Sequence, residues 1–176
     1  MRMGENGNIT SKLFRQEIRN EDVNQAFEKI FGITIEDLLS GYAYDELDEW
    51  PVEIENKGIM IGFIAETIKV PAQIAYIDVD VYNHPQHIVY LVKQIPVNTP
   101  FKKPADIETH LMPLKNCRIY YSLFNLQQME RIIFQYEDLR YELSLNKEGV
   151  LSRIRVCIAE NESSINMKTY YLFDNG

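Results

Sequence analysis

The run LRYELSL, Leu139 to Leu145, alternates strictly between apolar and polar residues. On a strand, Leu139, Tyr141, Leu143 and Leu145 take one face, and Arg140, Glu142 and Ser144 take the other. Such a strand buries one side of a pleated surface and wets the other, as antiparallel sheets do and parallel βαβ sheets do not. The loop NKEG (Asn146–Gly149) then leads into a second apolar run, Val150–Ile158. A four-residue loop pairs Leu145 with Val150 and sets Glu142 opposite Arg153, an opposite-charge pair worth roughly 0.2–1 kcal/mol.

The same period of two recurs from Glu53 onward. Strands are expected at Val52–Asn56, Ile59–Thr67, Ile74–Tyr82, Ile88–Ile95, Cys117–Leu123, Arg131–Glu137 and Thr169–Phe173, besides the two above. Before Glu53 the period is helical. Val23, Ala26, Phe27, Ile30 and Phe31 form an i, i+3, i+4, i+7, i+8 stripe. Asn20 is placed to cap it and Gly32 to stop it. A short second helix has Thr34 as cap, Asp37 at the capping-box position and Gly41 as its end. Between Pro96 and Pro113, four prolines (Pro96, Pro100, Pro104, Pro113) resist both helix and central strand, so a long ordered surface loop is expected. The run Ser122–Ile132 reads as a helical turn between strands. The fold class is α+β, with an N-terminal helical pair packed on a mostly antiparallel sheet of about six to eight strands. One domain is expected over 1–176, with 1–8 flexible, 20–41 helical and 52–176 mainly antiparallel β.

With 45% hydrophobic and 25% charged residues, a chain of 176 residues can build its own core. Cys117 and Cys157 lie inside apolar runs and read as buried thiols of a reducing compartment. The first twelve residues lack a signal-peptide apolar core, and the longest apolar run, Ile59–Ala65, is too short to cross a bilayer. A cytoplasmic protein is expected. Its net charge of -8 disfavours direct nucleic-acid or membrane binding and favours a basic protein partner.

The acid is concentrated. From Thr34 to Asn56 there are eight carboxylates (Glu36, Asp37, Asp45, Glu46, Asp48, Glu49, Glu53, Glu55) and no Lys or Arg. Their charge equals that of the whole chain. Tyr42, Tyr44 and Trp50 are interleaved with them, and rigid aromatics of this kind anchor protein interfaces. The candidate partner-binding set is Tyr42, Tyr44, Asp45, Glu46, Asp48, Glu49, Trp50 and Glu53. The bland alternative is a solvated acidic connector with Trp50 packed inward.

A second candidate face lies on the run from Tyr76 to His87. Strand alternation puts Tyr76, Asp78, Asp80 and Tyr82 on one side, with the aspartates about 7 Å apart at Cα. A hairpin into the next strand adds Tyr90 to that side. Asp78, Asp80, His84 and His87 are metal-ligand residue types, but their spacing is not that of a known metal motif, and no metal or cofactor is expected. The acidic run lacks the order of a calcium loop. No nucleophile elbow, P-loop or dinucleotide glycine pattern is present.

In length, acidity and lack of catalytic motifs, the chain resembles bacterial toxin-neutralising immunity proteins and phage-encoded inhibitors of host defence. That likeness is one of composition. Together these features point to a small acidic protein-binding or inhibitory module, and away from an enzyme. One alternative is a metal-assisted or small-molecule enzyme near Asp78, Asp80 and His84. Another is an assembly subunit that forms homo-oligomers through its sheet edges.

Overall fold

The computed structural model describes residues 13–14, 16–40, 49–54, 57–67, 70–83, 99–111, 118–136, 138–159 and 170–173. The expected strand Ile88–Ile95 and the first eight residues lie outside this set. The structure is α+β. A helical pair, α1 (Glu21–Phe31) and α2 (Ile35–Leu39), precedes three strands, β1 (Glu49–Ile54), β2 (Ile59–Thr67) and β3 (Val70–Asp80). Helix α3 (Pro104–Leu111) and strands β4 (Ile119–Phe124), β5 (Gln128–Tyr136), β6 (Leu139–Leu145), β7 (Leu151–Ile158) and β8 (Tyr171–Phe173) follow. The strands form one sheet in the order β1-β2-β3-β7-β6-β5-β4-β8. The chain falls into two compact units, Met1–Asp78 and Val79–Gly176.

In the first unit the helix ends follow their sequence signals. The Asn20 side chain accepts from Asp22 N at 2.9 Å, and Gly32 leaves α1 in the left-handed region at φ 70. Lys57, from the β1–β2 turn, donates its ammonium to the carbonyl of Phe31. That contact satisfies one of the carbonyls left open at a helix C-terminus. Thr34 caps α2 by accepting from Asp37 N, and its hydroxyl donates to the Asp37 carboxylate. Helix α2 ends on Ser40. Of the stripe, Val23, Ala26, Phe27 and Phe31 are buried, and Ile30 at its edge is half-buried. On β1 and β2, Val52 pairs with Ile61 and Ile54 with Ile59, all four buried. Gly62 is required by packing, because a Cβ there would run into the Tyr76 ring.

In the second unit, β6 shows the expected alternation, with Leu139, Tyr141, Leu143 and Leu145 buried. Tyr141 stands opposite Phe134 of β5, and their rings stack at 5.0 Å. Such a pair contributes about 0.5–1.5 kcal/mol beyond burial. On the other face of β4 and β5, Tyr120 and Ile133 are buried with Tyr170 against them.

Three expectations are corrected here. Asn146 N donates to Val150 O, so the turn closes on that pair, and Leu145 faces Leu151 rather than Val150. A bulge then shifts the register once more, and Glu142 faces Arg155, not Arg153. The run Ser122–Ile132 is a β-hairpin rather than a helical turn, reversing at Asn125 and Leu126, both with positive φ. Finally, the proline-rich loop contains α3. Pro104 is its first residue, where a missing N–H costs nothing. Asp106 accepts from Lys102 N and Lys103 N, and Phe101, Ile107 and Leu111 are buried.

Candidate functional site

The acid-rich run starts on α2 and ends on β1. These elements pack on each other, since Leu38 and Leu39 of α2 and Val52 and Ile54 of β1 all seek cover from water. Glu36 and Asp37 on α2 and Glu53 on β1 remain exposed. Glu53 can do so because strand alternation turns it away from its buried neighbours Val52 and Ile54. Glu49 and Trp50 occupy β1 opposite Ile64 and Phe63. Their side chains, and Tyr42, Tyr44, Asp45, Glu46 and Asp48 entirely, lie outside the described residues.

The second candidate face divides. Tyr76 is half-buried above Gly62. Asp78 is 2% exposed. Its neighbours Ile77 and Val79 are buried as well, so both faces of β3 are covered at this point. The simple alternation that would put Asp78 in solvent therefore fails. Asp80 is half-buried and Tyr82 is 63% exposed. Tyr90, His84 and His87 lie outside the described residues. His110 sits on α3, edge-on to Phe101 at 5.3 Å.

Asp80 and Tyr82 line an open cleft of about 480 Å³. The far wall is the β6–β7 turn, with Asn146, Lys147 and Glu148, and Ser152 forms part of the lining. The local sequence explains why this wall is so well defined. Gly149 takes φ 79, which closes a tight hairpin with an extra residue on the second strand. Asn146 Oδ1 accepts from Glu148 N and Val150 N. Gln128 of β5 donates its amide to the carbonyls of Asn146 and Lys147. Phe101 N donates to Gly149 O at 2.8 Å. The near wall is fixed as firmly. Ser152 O accepts from both Val81 N and Tyr82 N, and Asp80 accepts from the backbone and side chain of Asn83. Ser152 lies at the β7 bulge, and its hydroxyl donates to Ser144 O.

Sequence reasoning singled out Asp80 and Tyr82 and passed over Asn83, Asn146, Lys147, Glu148 and Ser152. Gly149 and Asn146 carry turn signals that show the loop to be ordered. Nothing local shows which strand end the loop will face. Among the described residues, no three His, Cys, Asp or Glu side chains gather as a metal site. No helix among them is long and apolar enough to cross a membrane. Comparison with protein-family models, curated proteins and solved structures finds no match to this chain.

Proposed function

We propose that the protein is a binding or inhibitory module that docks on a basic protein surface through its acid-rich segment. The observation that supports this reading is the packing of α2 on β1, with Glu36, Asp37 and Glu53 exposed on the two elements. The two ends of the Thr34–Asn56 run are thereby brought to one part of the first unit, with no Lys or Arg in the run to neutralise it. A patch of one sign focuses potential and accelerates encounter with an opposite charge. Tyr42, Tyr44 and Trp50 supply aromatic surface within the same run. In this reading the carboxylates pair with Lys and Arg of the partner, and the rings fill its apolar pockets. The partner's own basic groove is closed off to its usual ligand.

Capture from the native host, repeated at low and high salt, tests this. A basic protein is expected at low salt, reduced at high salt, and lost with the combined variant Asp45→Asn, Glu46→Gln, Asp48→Asn, Glu49→Gln. Equal recovery by wild type and variant would sink the reading.

A further inference from the structure

The cleft beside Asp80 shares no residue with the acid-rich run. We propose that it is a saccharide-binding site. The Tyr82 ring is 63% exposed, and no other ring among the described residues stacks on it. Its backbone N–H donates to Ser152 O, which anchors the main chain that carries the ring at the cleft wall. An aromatic ring bare to water on an anchored backbone is suited to a ligand with an apolar face and a polar rim. A pyranose has both, in its C–H face and its ring of hydroxyls.

The remaining lining supplies the polar half. Asp80 and Glu148 bring carboxylates, Asn83 brings a planar amide, Asn146 brings its amide nitrogen, its oxygen being engaged within the turn, and Lys147 brings an ammonium. Carboxylates accept from paired hydroxyls, while amides both donate and accept, which suits a neutral polyol. Two carboxylates against one lysine make the cleft net negative, which repels phosphate and carboxylate ligands. The lining residues also include no arginine fork to grip them. The hydrogen bonds through Asn146, Gln128 and Ser152 hold both walls in place, so little ordering accompanies binding. An open cleft that covers one face of a sugar implies weak, millimolar-range affinity for a single unit and tighter binding of short oligomers.

Saturation-transfer NMR on the full chain tests this with maltotriose, chitotriose, mannotriose and lactose as probes, beside adenosine and inorganic phosphate. At least one saccharide is expected to give a saturable signal at or below about 10 mM. Tyr82→Ala weakens it by roughly tenfold. Tyr82→Phe, which keeps the ring, leaves it within about threefold, and Glu148→Gln changes which saccharide is preferred. Because Tyr82 and Glu148 are both exposed, the variants should melt with the wild type. The proposal is overturned if no saccharide binds saturably, if adenosine or phosphate binds more tightly than every saccharide, or if Tyr82→Ala binds as the wild type does.

Discussion

Two residues show opposite relations between side chain and backbone. Leu126 has φ 61 and is 75% exposed, so it combines a left-handed backbone with an apolar side chain in water. Left-handed geometry costs a non-glycine residue about 1–2 kcal/mol. Replacement by glycine removes that strain at some cost in unfolded-state entropy. Leu126→Gly is therefore expected to raise the unfolding free energy by roughly 0.5–1 kcal/mol in urea denaturation. A loss of stability would mean that the side chain packs in a way its exposure does not reveal. Gly149 is the reverse case. At φ 79, an added Cβ would lie 2.7 Å from the carbonyl oxygen of Phe101. Gly149→Ala is expected to cost about 1–3 kcal/mol by the same measurement. The sequence marks Gly149 as a turn glycine, but the approach of Phe101, from a distant part of the chain, is a tertiary fact. Asp78 belongs with it. Alternation along Tyr76–Tyr82 predicts an exposed side chain, and cover on both faces of β3 overrides the pattern.

The elements that were legible are those whose signals are local. Asn20, Gly32 and Thr34 set the helix ends because a cap needs only the next few residues. Strand β6 was readable to the residue because its alternation is unbroken. What failed depended on longer reach or on position within an element. The β6–β7 register moved because Asn146, not Leu145, closes the turn, and because a bulge follows at Ser152. The β4–β5 hairpin lacked the glycine that normally announces a turn with positive φ at both central residues. Helix α3 escapes the proline rule because Pro104 is its first residue, where proline is tolerated, and not an interior one. The β6–β7 turn offers a direct check. Asn146→Ala removes the acceptor for Glu148 N and Val150 N. It is expected to lower stability by about 1–2 kcal/mol and to speed amide exchange at those two positions. Unchanged exchange would show that the turn does not depend on the Asn146 side chain.

For the whole molecule, the decisive property is the distribution of charge. The chain carries -8, and the Thr34–Asn56 run accounts for all of it, leaving the remainder balanced. That was fully legible in the sequence, because charge is a sum over residues and needs no fold. The packing of α2 on β1 adds that Glu36, Asp37 and Glu53 belong to neighbouring elements. The cleft at Asp80 was half legible. Asp80 and Tyr82 stood out as an acid and an aromatic, while the opposite wall came from a turn far along the chain, at Asn146 to Glu148. The most direct test of the docking account is the association rate of the captured basic partner with immobilised protein across a salt series. The wild type is expected to associate rapidly, with a rate that falls steeply as salt rises. Neutralising Asp45, Glu46, Asp48 and Glu49 together should slow association at low salt by roughly tenfold or more and flatten the salt dependence. The same rate and the same salt slope for wild type and variant would contradict the account.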